Sequence, residues 1–140
     1  MTADDIKEVA MIEKECFSVP WSESAFADEL KNSLAVYFVA KENGVCAGYC
    51  GFWNVAGEGD ITNIAVAAAY RRQGVGSMLI KRLIEYSLNN RLSRLTLEVR
   101  ASNAAAQGLY RKFGFKIVGE RVDYYLDPRE NAYIMTKDLI

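Results

Sequence analysis

Between residues 4 and 17 the apolar positions Ile6, Val9, Ala10, Ile12 and Phe17 fall near the helical repeat. SESAFADELKN, at 22–32, has the polar start and apolar stripe of a second short helix, with Pro20 and Trp21 separating the two. In YFVAKENGVCAGYCGFW the period changes. Two strand-like runs flank Asn43-Gly44, a dipeptide tolerant of positive φ, and predict an antiparallel hairpin. EGDITNIAVA predicts a third strand, nearly continuous in apolar character. A helix over 75–89 follows, with Val75, Leu79, Leu83 and Ile80, Ile84, Leu88 as its buried stripe. SRLTLEVRA reads as a strand. Asn103 then caps a helix, NAAAQGLYRKF, that stops at Gly114. FKIVGERVDYY and NAYIMTKDL close the chain as two strands around a turn at Asp127-Pro128. The order αα, βββ, α, β, α, ββ predicts an α/β (mixed α+β) fold: one mixed, mostly antiparallel sheet with helices on both faces.

Composition narrows the setting. A chain of 140 residues, 51 % hydrophobic and 25 % charged with two prolines, reads as one globular domain over 1–140. Seventeen basic against eighteen acidic side chains give a net charge of −1, which argues against a surface built to coat nucleic acid. The acidic, helix-patterned start MTADDIKEVAMIEKE does not resemble an export leader, and no apolar run is long enough for a membrane span. A cytoplasmic protein is expected. Cys16, Cys46 and Cys50 form neither a metal pattern nor an even disulfide set. They read as small buried apolar residues remote in sequence from any ligand loop. There is no histidine, which removes Ser-His-Asp and Cys-His nucleophiles and the commonest metal ligand. Acid–base chemistry is left to Glu, Asp, Tyr, Lys or water.

AAAYRRQGVGSMLIKRL, at 67–83, places Arg71 and Arg72 in a loop ahead of a helix, with Gly74 and Gly76 letting backbone N–H groups approach a ligand. The positive end of the helix dipole lies at the same place, so phosphate or pyrophosphate suits it. GxxxxGK[ST] is absent, and a dinucleotide fingerprint would need a third glycine where Leu79 stands. From these residues alone, the glycines could equally shape a turn beside solvated arginines.

RRQGVG matches the [Q/R]-x-x-G-x-[G/A] motif that binds acetyl-coenzyme A in GNAT N-acetyltransferases. NIAV, YRRQGVG, LEVRASNAAAQGLY, GF, YY, RENAYIM and the early PWSESAF resemble the bacterial RimI-type ribosomal-protein-alanine N-acetyltransferases across nearly the whole chain. The resemblance implies a GNAT fold. It implies pyrophosphate held at Arg71 and by the N–H groups of Arg72, Gln73, Gly74, Val75, Gly76 and Ser77, with Ile64, Ala65 and Val66 binding the acetyl-pantetheine arm like an added strand. The family usually has a proline and an acid before the arginines, where this chain has three alanines, which bears on how rigid the loop is.

Acetyl transfer to an amine needs a neutral nucleophile, a polarised carbonyl and a protonated leaving thiol. In LTLEVR, Leu95, Leu97 and Val99 share one face, so Glu98 projects from the other with Thr96 and Arg100. The pattern alone leaves Glu98 either functional or salt-bridged near Arg100, and Tyr110 either functional or packed beside Leu109 and Phe113. The resemblance implies that Glu98 is the general base, that Tyr110 protonates the departing sulfur, and that Asn103 contacts the cofactor as well as capping its helix. It further implies direct attack in a ternary complex by the N-terminal α-amine of a protein, an alanine's in a small-subunit ribosomal protein. Trp21, Tyr124 and Tyr125 would frame the peptide entrance, or else serve as core aromatics. Asp123 and Glu130 would attract a basic peptide, or else be solvated loop charges. A small-molecule amine or a lysine as acceptor, and a non-catalytic coenzyme A-binding module, remain as alternative readings.

Overall fold

The computed structural model describes all 140 residues. After a 3-10 turn at Ala3–Asp5 come helices α1 (Ile6–Cys16) and α2 (Glu23–Leu30), then strands β1 (Ala35–Glu42), β2 (Val45–Val55) and β3 (Glu58–Val66). Helix α3 (Val75–Asn89), strand β4 (Arg94–Arg100), helix α4 (Ala104–Lys112) and strands β5 (Lys116–Leu126) and β6 (Arg129–Asp138) complete the chain. The six strands form one sheet in the order β1-β2-β3-β4-β6-β5. Every neighbouring pair is antiparallel except β3 with β4.

Local chemistry explains most of these elements. Asn43 and Gly44 adopt φ of 51° and 80°, the left-handed pair that a two-residue hairpin with strand-compatible twist requires. Ser22 accepts from Ala25 N–H to cap α2, and Asn103 accepts from Ala106 N–H to cap α4. Gly114 ends the α4 segment at φ 92°.

The two faces of the sheet are covered differently. Val9 and Ile12 of α1 and Phe26 of α2 pack on Tyr37, Tyr49 and Ala65. On the other face Leu79, Ile80 and Leu83 of α3 meet Cys50, Phe52, Ile61, Leu95, Leu97 and Met135. At roughly 1.5–3 kcal/mol for each large apolar side chain removed from water, these layers supply the main drive to fold.

Three details depart from the sequence pattern. Leu88 turns outward at 52 % exposure and Ser87 takes its place in the buried stripe of α3, its hydroxyl satisfied by the Leu83 carbonyl at 2.7 Å. Phe17 lies past the end of α1 and is 40 % exposed. Strand β3 alternates buried and less buried residues instead of being apolar throughout. It also carries a bulge: Gly51 pairs with Asn63 but Phe52 pairs with Ile61, leaving Thr62 as the extra residue. The bulge puts Ile61 and Ile64 on the same face although they are three residues apart.

The sheet parts where β3 meets β4. Only Glu58–Asp60 pair with Arg94–Thr96, and beyond them the two strands diverge. No helix is long and apolar enough to cross a membrane.

Candidate active site

The gap opened by that divergence has backbone groups facing into it. Ala67 N–H donates to Ala47 C=O at 2.8 Å, which sets the hydrogen-bonding parity of the β2–β3 ladder. Ala65 and Asn63, two and four residues back, therefore bond toward β2. Ile64 and Val66 present their N–H and C=O to the gap. Ala65 instead has its side chain buried beneath α1 and its main chain committed to β2.

At one end of the gap stands the N-terminus of α3. The amides of Arg72, Gln73, Gly74, Val75, Gly76 and Ser77 have no acceptor within the chain, and the first bond of the helix runs from Met78 N–H to Gly74 C=O at 3.0 Å. Gly74 adopts φ 82° and Arg72 φ 63°, so the loop curls through left-handed conformations just before the helix. Gly76 carries a packing constraint as well: a Cβ there would lie 3.2 Å from Leu109 Cδ2 of α4. Arg71 folds back, donating through Nε to the Val66 carbonyl at 3.3 Å and lying with Nη2 at 3.4 Å from Cys16 Sγ. Cys16 also donates to the Val66 carbonyl, so this cysteine, remote in sequence, is a spatial neighbour of the loop. The alanine segment is pinned where the resemblance would place a proline and an acid. Ala68 N–H donates to the Glu15 carboxylate of α1, and Tyr70 N–H to Ala67 C=O at 2.9 Å.

A cavity of about 650 Å³ occupies the gap and the space beside it. Ile64, Glu98, Asn103, Tyr110, Trp21, Tyr124 and Tyr125 all line it; Ala65, Val66 and the 71–77 loop do not. Glu98 reaches it from β4. Its ion-pair partner is Arg121 of β5, Nε to Oε1 3.4 Å, and not the adjacent Arg100. Burial, and then the nearby Asp60 carboxylate, raise the Glu98 pKa above the usual glutamate range, while Arg121 opposes them. Tyr110 projects from α4, its ring 5.8 Å from that of Phe115. Burial pushes its phenol pKa well up. No buried polar side-chain atom lacks a partner, and the Tyr110 hydroxyl makes no hydrogen bond within the chain, so that hydroxyl is open to the cavity.

Trp21, Tyr124 and Tyr125, expected to frame an entrance or to serve as core aromatics, all line the cavity. Trp21 is fixed by its N–H to Glu13 Oε1 at 3.2 Å and by its ring 5.5 Å from Phe26. Tyr124 stands edge-on to Tyr125 at 5.0 Å, and burial raises the Tyr125 phenol to about 12. Glu130, expected to face a basic peptide, is engaged internally: Oε2 accepts from Ser102 N–H at 2.6 Å and Oε1 from Arg100 at 3.1 Å. The Ser102 bonds, with Arg100 adding, hold its carboxyl below the usual range. Asp123 sits at a bulge with φ 53° and lies outside the cavity wall.

Sequence reasoning missed Glu13. It is 2 % exposed, lines the cavity, and accepts from Tyr49 OH, from Asn63 Nδ2 at 3.4 Å and from Trp21 N–H. Its signal was an acid on the same helical stripe as Val9 and Ile12. Arg100 and Ser18, which hold the β5–β6 turn, were missed as well.

The sequence matches the acetyltransferase (GNAT) family over residues 6–115. It is 38 % identical over 133 residues to the [ribosomal protein bS18]-alanine N-acetyltransferase of Escherichia coli K12, covering 94 % of this chain and 89 % of that protein. A Bacillus subtilis protein that carries the same name provisionally is 44 % identical over 136 residues, covering 96 % of this chain and 90 % of its own length. The crystal structure of the ribosomal-protein-S18-alanine N-acetyltransferase from Escherichia coli superposes with a TM-score of 0.92 at 36 % identity, over 99 % of this chain and 90 % of that one.

Proposed function

Since the chain belongs to the acetyltransferase (GNAT) family, whose members use acetyl-CoA, we propose that it moves an acetyl group from acetyl-CoA to the N-terminal α-amine of a protein. The acceptor is an alanine terminus, and the protein a small-subunit ribosomal protein. One observation carries the reading: the gap between β3 and β4 opens into a cavity that joins Glu98, Tyr110 and an aromatic entrance. Names of relatives similar over nearly the full chain support the choice of acceptor.

The residues fit acetyl-CoA. The main chain of Ile64 and the Val66 N–H face the gap as an extended amide-bearing arm needs, while the Val66 carbonyl is already met by Arg71 and Cys16. The free N–H groups of residues 72–77 and the dipole of α3 suit a pyrophosphate. Acetyl-CoA supplies the activated acyl group; the chain supplies position and protons. Glu98, half-buried at the cavity wall, takes the proton from the ammonium or amine, directly or through one water. An α-amine has a pKa of about 7.7–8.0, so a modest base suffices. Tyr110, protonated through the working range because burial raises its pKa, donates to the leaving sulfur. Cys46 and Cys50 are buried off the cavity wall; Cys16 lines the cavity but donates its thiol to the Val66 carbonyl, and the transfer we propose is direct. A domain of this kind, carried by residues 1–140, works in the cytoplasm where ribosomal proteins are made.

The test compares an Ala-starting basic peptide, the same peptide with its terminus blocked and lysines intact, and small polyamines, each with acetyl-CoA and read by mass spectrometry. The free terminus is expected to be acetylated at least tenfold faster than the others. Equal rates on the blocked peptide or polyamines would reject the α-amine reading in favour of a lysine or small-molecule acceptor. Binding of acetyl-CoA without turnover on any amine would leave a non-catalytic binding module.

A further inference from the structure

The β5–β6 turn forms one wall of the cavity through Tyr124, Tyr125, Leu126, Asp127 and Pro128; its strands pair Tyr125 with Glu130 and Leu126 with Arg129, and the carbonyls of Asp127 and Pro128 at its tip are held from outside the hairpin. Arg100, two residues past Glu98 on the same face of β4, reaches it at several points. Nη1 donates to the Pro128 carbonyl at 3.0 Å and to Glu130 Oε1 at 3.1 Å; Nη2 donates to the Asp127 carbonyl at 3.1 Å. The guanidinium carbon lies 4.2 Å from the centre of the Tyr125 ring. Glu130 is in turn fixed by Ser102 N–H at the β4–α4 corner. From the facing wall, Ser18 donates to the same Asp127 carbonyl, tying the segment between α1 and α2 to the turn across the cavity mouth.

We propose that Arg100 is a positioning residue for the acceptor: it holds residues 126–129 as the outer wall of the entrance, and the peptide main chain enters beneath the Ser18–Asp127 bond that spans the mouth, past Trp21. The inference rests on the peptide reading given above and adds what shapes the entrance. Ordering one backbone residue costs about 1–2 kcal/mol, so a turn released from its clamp must be ordered by the incoming peptide at the expense of affinity. A planar guanidinium reaches two carbonyls and a carboxylate at once while stacking on a ring; an ammonium at the same site cannot.

The experiment measures steady-state kinetics of the parent, Arg100→Lys and Arg100→Gln with an Ala-starting basic peptide at saturating acetyl-CoA, together with hydrogen exchange of residues 124–131. Peptide KM is expected to rise about tenfold or more in both variants, roughly the ordering cost of one residue, with kcat within about threefold. Residues 124–131 should exchange faster in the free variants and regain protection only at correspondingly higher peptide concentration. Parent-like KM in a folded variant, rescue by lysine, or a loss confined to kcat would each overturn the role of Arg100. Should the Arg100 variants not fold, Ser18→Ala carries the test: it removes the second of the two bonds that hold the Asp127 carbonyl, at an exposed position, and should raise peptide KM in the same direction, and an unchanged KM would overturn the proposal. A parent that leaves the free Ala terminus unacetylated contradicts the peptide reading itself, a result distinct from all of these.

Discussion

Replacing Tyr110 by phenylalanine removes one oxygen atom that no hydrogen bond within the chain uses. The ring stays against Phe115 and the α3-side core, no cavity is created, and no partner is orphaned. A hydroxyl that opens to the cavity and has no protein partner contributes little to stability, so the variant should keep the parent's stability to within about 0.5 kcal/mol. The effect on chemistry is of another order. A coenzyme A thiol resembles a free cysteine, with a pKa near 8.5, and leaves better protonated than as a bare thiolate. A positioned proton donor is worth about 10²–10⁴-fold, or about 3–5 kcal/mol of barrier. Because burial raises the Tyr110 pKa, the parent should lose no activity to phenol ionisation below about pH 9, starting from an ordinary tyrosine value near 10. Single-turnover acetylation of an Ala-starting peptide, followed by mass spectrometry, isolates the chemical step from product release. A folded Tyr110→Phe protein whose single-turnover rate stays within threefold of the parent would refute the assignment.

Glu98→Gln should lower turnover about 10²-fold or more while leaving acetyl-CoA affinity near the parent's. A raised folded-state pKa means that Glu98 opposes folding once ionised. Glu98→Gln should therefore match or exceed the parent in thermal stability at pH 7, with any advantage vanishing as pH falls below the unfolded glutamate range, where both states are protonated. Melting curves at pH 4 and pH 7 test the sign. The parent's kcat/KM should also fall as acid protonates Glu98, with its midpoint above an ordinary glutamate value. Gly76→Val should weaken acetyl-CoA binding in calorimetric titration and cost about 1–3 kcal/mol of stability, because its side chain meets Leu109 as well as the loop's ligand face. Glu13→Ala leaves Tyr49, Asn63 and Trp21 N–H without their acceptor and should destabilise by about 3 kcal/mol or more in urea titration.

Features written in consecutive residues were legible in the sequence, and features made by distant ones were not. Asn43-Gly44, the Asn103 cap, Gly114 and the Leu95, Leu97, Val99 alternation each act within a few residues, and each has its expected structural place. The alternation also put Glu98 on the face where it meets the cavity. What opposes a face cannot be read from the face itself. Glu98 lay beside Arg100 in sequence, yet Arg121 from β5 pairs with it, and Arg100 turns to a carboxylate 30 residues on. In sequence Glu130 reads either as a charge facing a basic peptide or as a solvated loop charge, because Ser102 and Arg100 approach it only once β4 and β6 are paired. The Thr62 bulge and the short β3–β4 ladder, which open the site, are properties of strand register that no single strand displays.

The central claim is that donor and acceptor meet in the β3–β4 gap, between Glu98 and Tyr110. A crystal structure with a conjugate joining coenzyme A through an acetyl bridge to the α-nitrogen of an Ala-starting peptide tests it most directly. The pantetheine amides should bond to the main chain of Ile64 and Val66, the sulfur should lie within hydrogen-bond reach of Tyr110 OH, and the α-nitrogen should lie within one water of Glu98, with the peptide leaving past Trp21 and Tyr125. A conjugate seated outside the gap, or one whose sulfur and nitrogen contact neither side chain, would contradict the account.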